Sequence, residues 1–221
     1  MILQSDILSI RIQEHINNCY QRMPLVNAVL SGSLPKDVLR RHAKRHHAEI
    51  RTFIDFKLPE RMRLCPTEAI TAKKYFSELY IAEQGNFIPG QNHADMFKPV
   101  CYKLSISDDE LEEEYQSYWP RYRSMLVEHP SYEILVRELS ISCAWESLLA
   151  KIGGSLIASL KNIYGFTGKD LIYFSSHSEV DQQHSEEACK ILQSYISDDH
   201  LEQLSLSAIT DTLLEKSYFD F

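Results

Sequence analysis

Apolar residues recur along this chain at steps of three and four, and rarely at steps of two. That spacing lays them in stripes on helices of 3.6 residues per turn, whereas a half-buried strand needs alternation. Glycine is scarce, with 7 in 221 residues. An all-α chain is expected. Ile7, Leu8, Ile10, Ile12, Ile16 and Tyr20 mark a first helix from about Asp6 to Arg22, with Pro24 just past it. Ser31-Gly32-Ser33 reads as a turn, and Pro35 sits in the first turn of the next helix, where its missing N–H costs nothing. That helix runs through Val38, Leu39, His42, His46, Ile50 and Phe53 toward Phe56, and Pro59 ends or kinks it. Cys65-Pro66-Thr67 opens a third, to about Glu83, and a loop with Gly85, Pro89 and Gly90 leads to a short helix from about Asn92 to Lys103.

Ser107-Asp108-Asp109-Glu110 is a capping box and starts a fifth helix. A long helix follows over about 131–164, with Gly153-Gly154 as its bend point. Thr167 is expected to cap the helix after that, and Ser197-Asp198-Asp199 the last one, which ends near Phe219 and Phe221. With 44% hydrophobic residues and no repeat, linker or composition break, one all-α domain over 1–221 with about seven or eight helices is the expectation.

The formal charge of -8, from 23 basic and 31 acidic residues, argues against a general nucleic-acid or anionic-membrane binder. Part of the acidity is local. Asp108-Asp109-Glu110-Leu111-Glu112-Glu113-Glu114 reads as a solvated helix N-terminus favoured by the helix dipole. Five scattered cysteines (Cys19, Cys65, Cys101, Cys143, Cys189) form no CxxC pair, which suggests free thiols in a reducing compartment. The N-terminus turns polar at once, and no segment approaches the ~20 apolar residues that span a bilayer. A soluble cytoplasmic protein is expected.

One stretch stands out chemically. In His177-Ser178-Glu179-Val180-Asp181-Gln182-Gln183-His184, positions i, i+4 and i+7 place His177, Asp181 and His184 on one helix face. Two imidazoles and a carboxylate are nitrogen and oxygen donors suited to iron, manganese or zinc. Alone, the pattern is weak, because paired helical histidines are more often surface or hydrogen-bonded groups. Partners are needed on other helices. Glu146 stands among largely apolar neighbours, a poor setting for a lone carboxylate. Glu83 ends one helix and His93 opens the next, so the two can converge across the Gly85–Gly90 loop. Six donors suit two metal ions that keep positions open for substrate.

His42, His46 and Glu49 repeat the i, i+4, i+7 spacing, but Arg40, Arg41, Lys44, Arg45 and Arg51 crowd that helix and oppose a cation. A pocket wall or polar network is the better reading there. His47 falls about 100° from His46 and need not share its role. The chain has no GxGxxG, P-loop or GxSxG.

At these residues the sequence resembles the haem-oxygenase-like non-haem dimetal oxidases, relatives of the TenA thiaminases and PqqC-type oxidases on one helical-bundle fold. The matching features are Glu83-Gln84-Gly85, Asn92-His93-Ala94-Asp95-Met96-Phe97, Glu146, Tyr164-Gly165-Phe166 and Tyr173-Phe174-Ser175-Ser176-His177 with Asp181 and His184. Leu34-Pro35-Lys36-Asp37-Val38-Leu39 is similar to the family's second helix. The chain departs in carrying His42, His46 and His47 where many members have aromatic residues. The resemblance implies that Glu83, His93, Glu146, His177, Asp181 and His184 ligate two iron ions, with manganese as the alternative metal. It further implies O2-dependent oxidation of a small organic substrate, amino-acid-derived or a fatty acid. A symmetric homodimer is compatible with such a fold.

Two other readings compete. One is a cofactor-free hydrolase of the TenA type, with Cys143 as nucleophile and Glu215 assisting. The other is a non-catalytic helical protein that docks a partner through its acidic 108–114 face.

Overall fold

In a computed structural model the described residues, 2–123 and 129–215, form ten α-helices and no strand; the side chains of 2–6, 121–123, 178–182 and 215 lie outside the description. The helices are α1 (Ile2–Gln21), α2 (Pro24–Ser31), α3 (Lys36–Thr52), α4 (Leu58–Leu64), α5 (Ile70–Glu83), α6 (His93–Lys103), α7 (Asp108–Arg123), α8 (Tyr132–Asn162), α9 (Ile172–Tyr195) and α10 (Asp199–Thr210). None is long and apolar enough to cross a membrane.

The extra helices have local causes. Pro24 does not merely follow α1; it opens α2, where a proline needs no N–H partner. Gly32, at φ +73°, closes α2 by donating its N–H to Ala28 and Val29 carbonyls. Pro59 cannot donate to the Asp55 carbonyl one turn back. The chain absorbs this in a π-turn over Phe53–Lys57, and Leu58 N–H bonds the Phe53 carbonyl five residues behind. Thus α3 continues into α4 rather than ending.

The expected capping box is formed: Ser107 N–H donates to Glu110 Oε2 at 3.1 Å, and Glu110 N–H to Ser107 Oγ at 3.3 Å. Asp198 caps α10, accepting from Leu201 N–H at 3.0 Å. Thr167 does not cap α9. Its N–H and hydroxyl both donate to Asp170 Oδ2, which builds a turn, and α9 begins at Ile172. The long helix α8 runs through Gly153 and Gly154 without interruption.

Two apolar clusters organise the bundle. One gathers Ile12, Phe76, Leu135, Leu139, Leu192 and Ile209 from α1, α5, α8, α9 and α10. The other gathers Val38, Phe97, Leu111, Leu160 and Tyr173 from α3, α6, α7, α8 and α9. Helices α8 and α9 contribute to both, and Tyr80 and Leu156 pack against both.

The acidic 108–114 face is not merely solvated. It lies against the basic face of α3: Glu110 meets Arg40 at 2.5 Å, Glu112 meets Arg51 at 2.5 Å, and Glu114 lies 3.3 Å from Lys44. Arg51 also stacks on the Tyr115 ring at 3.7 Å. Half-exposed pairs are worth only about 0.2–1 kcal/mol each. Their joint effect is on how α3 and α7 align, and it answers the crowding of cations on α3 from within the chain.

The α5–α6 connection is tightly built. Gly85, Asn86 and Phe87 all take positive φ, at 59°, 53° and 60°. Left-handed backbone costs a non-glycine residue roughly 1–2 kcal/mol, so this short turn is held in place by its surroundings. A Cβ at Gly85 would meet the Gln91 carbonyl oxygen at 2.1 Å and carbonyl carbon at 2.3 Å. Both are backbone atoms that cannot swing aside. Gly85→Ala is expected to cost about 2–3 kcal/mol, read as a drop in the urea-unfolding midpoint. A change under about 0.5 kcal/mol would show that the chain closes this turn another way.

Candidate metal centre

Glu83 is the last residue of α5 and His93 the first of α6, so the closed turn between them sets their approach. Glu83 Oε2 lies 2.7 Å from His93 Nδ1. The pair is nonetheless out of line for a hydrogen bond, and His93 Nδ1 is a buried nitrogen without a hydrogen-bond partner. Two buried lone-pair atoms that close together, unjoined by a hydrogen bond, are arranged as donors to a shared third atom would be. His177 enters from α9, with its ring centroid 4.4 Å from that of His93. One ligand atom from each of Glu83, His93 and His177 lies within 4.8 Å of the other two.

The tautomer of His177 follows from its neighbour. Nδ1 is 2.7 Å from the Tyr173 carbonyl oxygen, which can only accept, so Nδ1 carries the proton and Nε2 the lone pair. Metal-binding imidazoles are commonly oriented in this way. Burial, reinforced by His93, pushes the His177 imidazolium down to about 4, so the ring is neutral at pH 7.

A second pair stands beside this triad. Glu146, on α8, is buried, and its Oε2 lies 3.7 Å from His184 Nδ1 on α9. Burial raises the Glu146 pKa; His184 opposes that, Glu83 adds to it by repulsion, and His93 lowers it. The two groups therefore share one electrostatic region, with α8 and α9 as its common walls. Asp181 lies on α9 one turn after His177, and its side chain falls outside the described residues. Five of the six candidate donors are thus drawn toward one region from α5, α6, α8 and α9.

An aromatic wall completes the surroundings. The Tyr173 ring is 4.2 Å from His177 and 5.8 Å from His93, and Phe97 stands edge-on to it at 5.1 Å. His46 packs edge-on against Phe97 at 5.1 Å and stacks with His42 at 5.7 Å. His46 Nδ1 is 3.7 Å from Glu49. His42 and His46 thus pack into an aromatic wall with Glu49 close by, as a pocket wall or polar network would. Tyr173 is the residue whose role sequence reasoning missed: it stood in a matching segment, but nothing in its spacing showed that its carbonyl would hold His177.

The expectation of five free thiols is corrected. Cys143 and Cys189 are joined by a disulfide between α8 and α9, with Cα atoms 5.4 Å apart, while Cys19, Cys65 and Cys101 are free and buried. Cys143 sits one turn before Glu146 and Cys189 five residues after His184, so the bond ties together the two helices that carry those donors. It also removes Cys143 as an available nucleophile for the hydrolase reading. Of the six acids on the face offered for partner docking, Glu110, Glu112 and Glu114 pair with α3.

Comparison with known proteins bears on the chemistry. Residues 40–213 match the family described as iron-containing redox enzymes. A 4-aminobenzoate synthase of Chlamydia trachomatis is 23% identical over 170 residues, covering 76% of this chain and 71% of its own. A protein of the same name from Chlamydia muridarum is 23% identical over 170 residues, covering 76% and 70%. The crystal structure of a TenA homolog from Pseudomonas syringae pv. tomato superposes with a TM-score of 0.71 at 12% identity, over 92% of this chain and 86% of that one. That likeness shows the shared helical bundle.

Thiol titration checks the disulfide. Protein unfolded without reductant is expected to show the three free thiols, and all five cysteines only after reduction. Closing a loop of 46 residues is expected to stabilise the fold by about 2–4 kcal/mol, so reductant should lower the urea midpoint. Five thiols without reductant would show the helices joined by packing alone.

Proposed function

We propose, on the premise that this chain belongs to the family of iron-containing redox enzymes, that it is an O2-dependent oxidase working with two iron ions on a small organic substrate. The observation that carries this reading is the Glu83–His93–His177 triad, with Glu83 and His177 buried and His93 partly so, and with Glu146 and His184 beside it. The donor set fits the metal. His93 Nδ1 is buried without a hydrogen-bond partner, and His177 is held with Nε2 as its lone-pair atom. Imidazole nitrogens with carboxylates and remaining open positions suit non-haem iron.

Glu83, His93 and His177 would hold one ion; Glu146 and His184, completed by Asp181, would hold the second. Bound ferrous iron supplies the electrons for reducing O2, which none of these side chains can supply. The chain's own contribution is positional. The Tyr173 carbonyl fixes the His177 ring, and the closed turn after Glu83 fixes that carboxylate against His93. Tyr173 and Phe97 keep bulk water from the buried face of the triad. The substrate class carried into the test is a small amino-acid-derived compound, with a fatty acid as the alternative. The activity named for the chlamydial relatives, synthesis of 4-aminobenzoate, gives one reaction of that class to assay.

The test begins with metal. Protein loaded with ferrous iron without air is expected to hold close to two ions per chain by elemental analysis. His177→Ala and Glu83→Ala are each expected to reduce this to about one or fewer, with far-ultraviolet circular dichroism unchanged. Admitting air should then give O2 uptake in the wild type and a small fraction of it in either variant, and 4-aminobenzoate is sought among the products. Failure to take up iron, or uptake indifferent to both substitutions, would refute the reading.

A further inference from the structure

The two halves of the Cys143–Cys189 bond differ in their surroundings. Cys143 has no exposed surface. Cys189 lines a cavity of about 590 Å³ between α1, α8 and α9. Gln13, on α1, lines the same cavity, and its Nε2 reaches Cys189 Sγ at 3.2 Å. The Cys189 sulfur therefore lies on the α1 side of the bond, beneath a half-buried amide that also faces the cavity. Sulfur is a weak hydrogen-bond acceptor, so this contact holds the cover only lightly. Disulfide exchange requires one sulfur that an incoming thiolate can reach, with the other as leaving group. Moving Gln13 aside exposes Cys189 in that role and leaves Cys143 behind it.

The rest of the wall selects the thiol. Lys151 on α8 and Lys190 on α9 line the cavity, and Glu186 is the one acid among its described lining residues. Lys151 Nζ bonds the uncharged Asn17 side chain, and neither lysine stands in an ion pair among the described residues. Two ammonium groups against one carboxylate attract an anion and favour the thiolate form of a thiol beside them. The cavity volume lies within the usual range for small-ligand pockets.

We infer that Cys189 is a thiol-exchange site, at which a small acidic thiol enters this cavity and is carried as a mixed disulfide. The thiolate attacks Cys189 Sγ and forms a new S–S bond. The Cys143–Cys189 bond breaks, and Cys143 leaves with the electron pair and takes up a proton. A second thiol molecule can then attack the mixed disulfide, leaving Cys189 as a thiol and the two small molecules joined by a disulfide. Exchange unties α8 from α9 one turn before Glu146 and five residues after His184. The covalent tie between two walls of the candidate metal centre thus answers to the surrounding thiol pool.

The test uses the folded full-length protein without added metal, so its outcome is independent of the iron reading. The protein is treated with reduced glutathione, 2-mercaptoethanol or cysteamine (acidic, neutral and cationic thiols), quenched with N-ethylmaleimide and mapped by peptide mass spectrometry. Each rate is divided by that thiol's rate on a small linear disulfide, which removes differences in intrinsic nucleophilicity. Glutathione is expected on Cys189, with Cys143 alkylated, about tenfold faster than cysteamine at low ionic strength. That preference should fade as salt screens the lysines. Lys190→Gln, at an exposed position where folding is not at risk, is expected to lose most of it, and Gln13→Ala to speed all three thiols. Reaction only under unfolding conditions, an adduct on Cys143, or equal relative rates for the three thiols would overturn the proposal.

Discussion

Carboxylates and imidazoles from four helices are buried or half-buried between two apolar clusters, and most of the bundle's detail serves to hold them there. Taking such groups out of water is costly unless they are paired or bound. The chain meets that cost with specific partners rather than with solvent. The Tyr173 carbonyl takes the His177 N–H and Glu146 faces His184, whereas His93 Nδ1, 2.7 Å from Glu83, is left without a hydrogen-bond partner. Helices α8 and α9 can present donors to this region because each packs into both clusters. The disulfide between Cys143 and Cys189 sits on the same seam, so covalent, apolar and polar contacts all act on one helix pair.

How much of this the sequence revealed depended on whether the cause was local. The capping box at Ser107 and the cap at Asp198 were legible because both partners lie within three residues. Glu146 was legible as an acid in apolar company, and Glu83 and His93 as two helix ends facing across a short loop. Pro24 misled because proline marks both the end of one helix and the first turn of the next, and only packing decides between them. Thr167 misled similarly: it binds Asp170, three residues on, but as a turn. Non-local features were not legible. Nothing in a spacing of 46 residues joins Cys143 to Cys189, and the acidic run on α7 could not be matched to α3 while each helix was read alone.

The charge pairing between α3 and α7 also bears on the site. Basic residues on α3 argued against a cation near His42 and His46; His46 packs edge-on against Phe97, and His42 stacks on His46. Yet Arg40, Lys44 and Arg51 are largely neutralised by Glu110, Glu114 and Glu112. Their charges are thus met along the α3–α7 seam. An acidic stretch that looks on its own like a solvated surface is a counter-charge that allows a strongly basic helix to stand next to a candidate cation site.

The left-handed turn at Gly85–Phe87 shows why strain accumulates beside the candidate site. A relaxed, longer connection between α5 and α6 would let Glu83 and His93 swing toward solvent, where each is well hydrated alone. The turn instead brings Gly85 against the backbone of Gln91 and Asn92, which delivers His93 at the start of α6 opposite Glu83. The cost of the two left-handed non-glycine residues, Asn86 and Phe87, is met by closure of the α5–α6 pair and by the Asn92 cap on α6, whose side chain accepts the Asp95 N–H. The same cap fixes Asp95 beside Lys98, so the strained turn and the start of α6 are held by one set of local contacts.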